Sequence, residues 1–193
     1  YIRDNGAPKG TLEFSSNKEL DVKKLNAAAG KGDALAQYQL ARVFRDGKGV
    51  PQNLPVAHKW FEKSAKQGDA SACHEYGGLL INGLGCKKDV VKALKWWRLA
   101  ANSGLPAAQA DLGLLYSRGE GDAVKKDHVE AYKWFTLAAR SENAKLSAKA
   151  ISMREELSRG MKGLEIFKGI RAAQKFQPAK IPTSDQGAKQ GKE

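Results

Sequence analysis

One stretch of this sequence repeats itself every 36 residues. Residues 34–69, 70–105 and 106–143 align once the third copy is allowed two extra residues, and the second half of each copy carries one motif, AHKWF, ALKWW or AYKWF. Self-similarity at this period is typical of solenoids of helix pairs, in which each unit buries its apolar face on the next. The repeat therefore predicts an all-α fold, a right-handed α/α superhelical solenoid of antiparallel helix pairs, and argues against an enzyme.

Each copy carries the pattern of two helices. Small residues recur in the first half at helical spacing and let the paired helices approach closely. A G-x-G pair then ends the first helix, because glycine adopts left-handed backbone angles without steric cost. An Asn or Asp precedes the second helix as its expected N-cap. The small residues include Ala41, Gly77 and Gly113, and the expected N-caps are Asn53, Asp89 and Asp127.

The tryptophans also follow the repeat. They occupy equivalent positions in the second helices, a placement that indicates core aromatics rather than ligand-binding ones. We therefore expect all four to be buried: Trp60, Trp96, Trp97 and Trp134.

The helical register continues beyond the three copies. Residues 18–33 are expected to form a half repeat with a cap helix, and residues 144–176 two C-terminal capping helices. Residues 1–17 form an N-terminal arm, and the basic tail 177–193 is expected to be disordered or bound as an extended segment. No apolar run approaches the roughly 18 residues that a membrane-spanning helix needs.

The formal net charge is +12, and it is distributed unevenly. The first two copies each carry +3, the third carries −1, and residues 144–176 carry +5. Positive potential should therefore gather on the first two repeats and on the C-terminal helices. Such a field attracts acidic proteins, anionic lipid or nucleic acid without choosing among them, and it is equally compatible with a surface that only keeps the protein soluble.

The sequence offers little that could carry chemistry. Its histidines, His58, His74 and His128, lie outside any H-x-x-x-H, C-x-x-C or carboxylate cluster, so we predict no metal site, catalytic residue or cofactor. Cys73 and Cys86 lie roughly 20 Å apart along a predicted helix, beyond the Cα separation of about 7 Å that a disulfide allows. Both are expected to be buried packing thiols.

The repeat motifs resemble a known family. A-x-A-Q-x-x-L-G-x-x-Y, G-x-G-V, K-D-x-x-x-A-x-K-W-[FW] and A-A-x-x-G are similar to the Sel-one-like repeat, a relative of the tetratricopeptide repeat, and the third copy is the most similar. Three departures are expected to alter curvature locally without abolishing the fold. Ala41 replaces the first glycine, Ser141 and Glu142 replace the closing glycine of the third copy, and Asp122 with Ala123 lengthens one loop.

The resemblance implies a protein–protein adaptor without cofactor or shared catalytic residues. Proteins of this kind often act in bacterial envelope assemblies, in secretion or virulence, or in signalling complexes. We therefore expect the periplasm or cell envelope as the location, with the cytoplasm as the alternative. A start at Tyr1 fits either a removed leader or a boundary set elsewhere.

We expect a partner to bind the inner curve of the solenoid, which the non-core positions of the first helices form. Basic residues gather at one end of this surface, and acidic or apolar ones follow, so a peptide with an acidic segment beside an apolar anchor would suit it. The candidate partner-binding residues are Tyr38, Gln39, Arg42, Arg45, His74, Asn82, Asp111 and Arg118, with Glu75, Ile81, Leu114 and Ser117 on the same surface.

Three other interpretations stay open at this point. The same residues are equally compatible with a merely solvated face. A basic protein that binds nucleic acid or an anionic surface is a second class, although no repeat carries a regular pair of base-reading positions. A third is an accessory subunit of a larger complex, which an exposed apolar patch on an end helix would favour.

Overall fold

The computed structural model describes residues 18–183, and for residues 18–20 only the backbone. The described chain is all-α, with two isolated β-bridges about Glu120. No helix in this part is long and apolar enough to cross a membrane. The helices are α1 Lys18–Gly30, α2 Ala34–Asp46, α3 Leu54–Lys66, α4 Ala70–Asn82, α5 Val90–Asn102, α6 Pro106–Arg118, α7 His128–Ala138, α8 Ala144–Ser158 and α9 Gly163–Gln174.

The helices from α1 to α8 stack in the order in which they occur along the chain. Each of them packs chiefly on its neighbours in the sequence, whereas α9 packs on α7 rather than on α8. The main apolar core therefore runs along the array, from Ala41 in α2 to Ala173 in α9, instead of forming a sphere. This arrangement confirms the predicted α/α solenoid of helix pairs.

Glycines set the close approach within the second and third pairs. A Cβ on Gly77 would lie 2.4 Å from Cδ1 of Trp97, and one on Gly113 would lie 2.5 Å from Cδ1 of Phe135. The indole Nε1 of Trp97 also donates a hydrogen bond to the His74 carbonyl at 2.9 Å. The aromatic ring of the second helix therefore lies directly on the backbone of the first, as the small residues predicted.

The expected N-caps of the second helices are confirmed. The Oδ1 atom of each cap accepts a hydrogen bond from the backbone N–H three residues later. The distances are 3.1 Å from Val56 to Asn53, 2.8 Å from Lys92 to Asp89 and 2.9 Å from Glu130 to Asp127. At the ends of α2 and α4, Gly47 and Gly83 adopt left-handed angles, with φ of 67° and 66°.

The prediction that all four tryptophans are buried is wrong for two of them. Trp97 and Trp134 are 7% and 3% exposed, whereas Trp60 and Trp96 are only half-buried. Trp60, Trp96 and Trp134 share one repeat position, at the edge of the helix pair. In the third repeat this position is covered because Phe176, just beyond α9, packs edge-on against Trp134 with ring centroids 5.9 Å apart.

The two cysteines are free, but they differ in burial. Cys73 is fully buried, and burial raises the pKa of its thiol to about 12. This residue is a packing thiol, as expected. Cys86 is only half-buried, so the expectation of a fully buried thiol is wrong there.

The C-terminal segment beyond α9 is only partly as expected. We expected residues 177–193 to be disordered or bound as an extended segment. Residues 177–183 are extended and lie against the repeats, where the Ala179 N–H donates to the Asn102 carbonyl at 2.8 Å. The N-terminal arm 1–17 and residues 184–193 lie outside the described residues.

Candidate partner-binding surface

The first helices of the three repeats, α2, α4 and α6, present one continuous surface, which we call the first-helix face. Two contacts connect its helices. Arg45 Nη1 lies 2.7 Å from Glu75 Oε2, between α2 and α4, and His74 Nε2 lies 2.7 Å from Asp111 Oδ2, between α4 and α6. The face is formed by Tyr38, Arg42, Arg45, His74, Glu75, Gly78, Asp111, Leu114 and Ser117.

The two cross-repeat contacts use one repeat position. Glu75 and Asp111 lie 36 residues apart and are therefore equivalent in the repeat. Each of these carboxylates contacts a guanidinium or imidazole group of the preceding repeat. The structure thus brings the predicted residues His74 and Asp111 together, pairs Arg45 with Glu75, and uses both contacts to join neighbouring repeats.

Arg45 is less available to an acidic partner than the sequence suggested. Its guanidinium is hydrogen-bonded to Asp46 at 2.7 Å as well as to Glu75, and it lies over the Phe61 ring. Partial burial opposes the charged form of Arg45, but the hydrogen bonds that its guanidinium donates to Asp46 and Glu75 outweigh it and hold its pKa above the ordinary value. The same hydrogen bond lowers the pKa of Asp46. The charge of Arg45 is therefore balanced within the protein.

Arg42 and Tyr38 form the basic end of the face. The Arg42 guanidinium carbon lies 5.7 Å from the centroid of the Tyr38 ring, which itself packs edge-on against Phe61. Burial, with a further contribution from Glu75, raises the pKa of the Tyr38 hydroxyl. Arg42 is half-buried and can present its charge to a bound molecule.

The remaining residues that were predicted to bind a partner differ in how exposed they are. Gln39 is only 6% exposed, and its Nε2 has no hydrogen-bond partner among the described residues. The expectation that Gln39 lies on an accessible surface is therefore wrong, and Ile81, at 7%, is likewise part of the core. Asn82 is exposed and donates to the Gly78 carbonyl of its own helix at 2.8 Å. Arg118 is exposed at the end of α6.

A pocket with both apolar and polar lining residues lies at the far end of the face. Leu114 and Ser117 of α6 line it together with residues of α7 and α8, and its volume is about 380 Å³. The sequence had placed Leu114 and Ser117 on the surface but missed the side that α8 supplies. The four-residue spacing of Met153 and Leu157 on the capping helix was the available signal. The other lining residues are Phe135, Glu156 and Gly160.

One row of repeat positions joins the basic end to this pocket. Arg42, Gly78 and Leu114 are equivalent residues of the three repeats. A Cβ on Gly78 would meet nothing within 4 Å, so the middle of the row is open space. Along this row the face therefore offers a cationic side chain at Arg42, open space above Gly78 and the pocket beside Leu114.

Among the described residues, no cluster of three or more His, Cys, Asp or Glu side chains is arranged so that it could hold a metal ion. His58 instead packs on Tyr76 with ring centroids 4.9 Å apart, and burial lowers its pKa. His74 is engaged by Asp111.

The fold defines a helical-repeat protein, and comparison with known sequences identifies its family. Residues 34–69, 70–105 and 106–143 match the Sel1 repeat. The chain therefore belongs to the Sel1 repeat family. Sel1 repeats generally mediate protein–protein interactions, and proteins built from them are typically non-catalytic scaffolds. A search of curated proteins gave no match.

Two solved structures are similar to this chain. One is c5321, a protective antigen of uropathogenic Escherichia coli strains with an SLR fold, at 29% identity and a TM-score of 0.76 over 90% of this chain. The other is a Sel1 repeat protein from Oxalobacter formigenes, at 30% identity and a TM-score of 0.68 over 83% of this chain. The present chain spans 36% of the first protein and 64% of the second.

Proposed function

We propose that this chain is a non-enzymatic scaffold, that it binds a protein or peptide partner on the first-helix face, and that this face is the concave side of the solenoid. The pocket between α6, α7 and α8 carries the proposal, because Leu114, Phe135 and Leu157 would contact an apolar side chain placed in it, while the rest of the face is open and polar. A pocket of this kind supplies the buried anchor around which protein interfaces are built.

The partner that fits best is a peptide with an acidic residue on one side of an apolar anchor. The anchor enters the pocket beside Leu114, and the acidic residue lies near Arg42, two repeats away. Arg45 and His74 hold neighbouring repeats together through Glu75 and Asp111, so they keep the two ends of the face in register. Arg118 and Asn82 border the face at its exposed edge.

The experiment is a pull-down from a lysate of the source cells with the wild-type chain and with Leu114→Glu. Val91→Glu on α5 is the matched control, because Val91 is 52% exposed and lies outside the face. We expect one or two proteins that survive high salt and nuclease, that are lost with Leu114→Glu and that are kept with Val91→Glu.

Two results would contradict this function. Recovery of nucleic acid alone, or of mixed acidic proteins that are lost in salt, would favour a basic protein that binds nucleic acid or an anionic surface. Equal loss of the partner with both variants would place the interface elsewhere.

A second candidate function rests on α9. Leu164 and Phe167 are 65% and 53% exposed on this last helix, and Arg171 lies over the Phe167 ring. Neighbouring exposed apolar side chains of this size mark interaction sites. They favour an accessory subunit that docks by α9 within a larger complex, and a partner lost with Phe167→Ser but kept with Leu114→Glu would support it.

We propose the bacterial periplasm or cell envelope as its location, with the cytoplasm as the alternative. The protective antigen among its structural relatives supports this proposal. Fractionation of the source cells, with antibody detection of this chain, would decide between the compartments.

A further inference from the structure

Residues 177–183 run back along the solenoid, from the third repeat toward the first. The segment follows Phe176, which packs against Trp134. A Cβ on Gly104 would lie 3.7 Å from the Pro178 Cβ. One repeat closer to the N-terminus, a Cβ on Gly68 would lie 3.3 Å from the Ile181 carbonyl oxygen. Successive parts of the segment therefore cross equivalent turns of successive repeats.

The turns receive an extended chain because they carry no side chain at that point. Gly68 and Gly104 have φ of 89° and 97°, a conformation that favours glycine, and each lies between the second helix of one repeat and the first helix of the next. A backbone can therefore approach closely. The end of α5 also offers a carbonyl that its own helix does not use, since Asn102 accepts the Ala179 N–H at 2.8 Å.

The segment is held at few points. Pro178, Ala179 and Lys180 are exposed, while Ile181 and Thr183 are half-buried, and Ile181 packs against the main core. An open pocket of about 440 Å³ is lined on one side by residues 178–181 of the segment and on the other by Gly68, Ser103 and neighbouring turn residues. A second, of about 200 Å³, lies where Pro178 and Phe176 meet Gly104. A segment held by a few side chains beside open space can be exchanged for another.

We propose that this row of turns is a second peptide-binding groove and that residues 177–183 occupy it as an internal ligand. The groove, which we call the turn groove, is formed by Gly68, Ser103 and Gly104 with their flanking residues. It takes an extended segment that carries a proline and, three residues later, a branched apolar residue, as Pro178 and Ile181 do. A partner with such a segment displaces the internal one. This surface is separate from the first-helix face, so the proposal does not depend on the proposed function.

The test is binding of a fluorescently labelled peptide, FQPAKIPT, to the full chain, measured by anisotropy. Its sequence is that of residues 176–183. Ile181→Asp in the chain weakens the internal ligand, so we expect this variant to bind the peptide at least tenfold more tightly than the wild type. Lys180→Ala, at an exposed residue of the same segment, is the matched control and should behave as the wild type. A peptide with serine in place of its isoleucine should not bind.

Hydrogen exchange of the wild-type chain gives an independent result. We expect the Ala179 amide to exchange at least tenfold more slowly than an unstructured peptide of the same sequence. Exchange at the unstructured rate, or no peptide binding to Ile181→Asp while its circular dichroism stays helical, would overturn the proposal. Sedimentation velocity tests whether the segment occupies the turn groove of its own chain. A concentration-dependent dimer that is lost in Ile181→Asp would overturn the proposal, because it would show that the segment binds the groove of a second copy.

Discussion

In the second and third repeats, a glycine on the first helix allows the two helices of the repeat to pack closely. The Trp97 ring lies where a Cβ of Gly77 would be, and the Phe135 ring stands in the same relation to Gly113. The large aromatic ring and the bare backbone are two parts of one contact, in which the indole also hydrogen-bonds to the His74 carbonyl. The next residue, Gly78, has open space around it, although it has the same local sequence environment.

Two adjacent alanine substitutions should therefore have opposite effects. Gly77→Ala places a methyl group 2.4 Å from Trp97 Cδ1, and overpacking of this kind destabilises a core by about 1–3 kcal/mol. Gly78→Ala meets nothing and should stabilise the helix by up to about 1 kcal/mol. Urea denaturation of both variants measures the free energy of unfolding. Equal effects in the two variants would mean that helix propensity, and not the Trp97 contact, governs this position.

The loop between the two helices of a repeat is built around its N-cap residue. The side chain of Asn53, Asp89 or Asp127 caps the second helix. The backbone N–H of the same residue donates to a carbonyl near the end of the first helix, at 2.8 Å for Asn53 and at 2.9 Å for Asp89 and Asp127. One residue therefore satisfies helix-end groups on both helices and fixes the angle between them.

Asp89→Ala tests the side-chain half of this arrangement. Loss of the hydrogen bond to the Lys92 N–H should lower the free energy of unfolding by about 1 kcal/mol. Asp89→Asn keeps an acceptor oxygen and is the control, so it should lose only a few tenths of that amount. Thermal denaturation followed by circular dichroism compares them. A loss with Asn as large as the loss with Ala would assign the effect to charge instead of to the cap.

At the scale of the whole molecule, the core is a line of contacts between neighbouring helices. An array of this kind is stabilised by its units and by the interfaces between nearest neighbours. Trp97 lies in the main core within the central repeat, and Trp60 packs at the edge of the first, with Lys63 over its ring. The two tryptophans should therefore differ in how much they stabilise the array.

Substituting each of these two tryptophans by alanine should show how much each contributes to the free energy of unfolding. Trp97→Ala should lower the free energy of unfolding by about 3–5 kcal/mol, as for other large core aromatics. Trp60→Ala should cost about 1–2 kcal/mol, because a half-buried side chain gives up less apolar area. Guanidinium denaturation followed by circular dichroism measures both. A similar loss in the two variants would contradict the distinction between buried and edge positions.

Most of the fold could be predicted from the sequence because its determinants are local and repeated. The caps, the helix-ending glycines and the small residues opposite the aromatic rings each act over a few residues or within one helix pair. The candidate site was less predictable. Arg45 and Gln39 look alike as polar first-helix positions, yet one is balanced by Glu75 from the next repeat and the other is buried. Neither outcome follows from the spacing of residues within a repeat.

The sequence by itself determined the helix pairs, their order and the chemistry of their contacts, since a period of 36 residues places equivalent residues at equivalent positions of successive helix pairs. The tertiary structure decided which contacts form between the repeats and the segments that follow the last repeat. Phe176 covers Trp134 while Trp60 and Trp96 stay half-buried, α8 closes a pocket over Leu114, and the last described residues cross the turns at Gly104 and Gly68. These contacts join residues that are far apart in the chain and outside the repeat, so only the packed molecule specifies them.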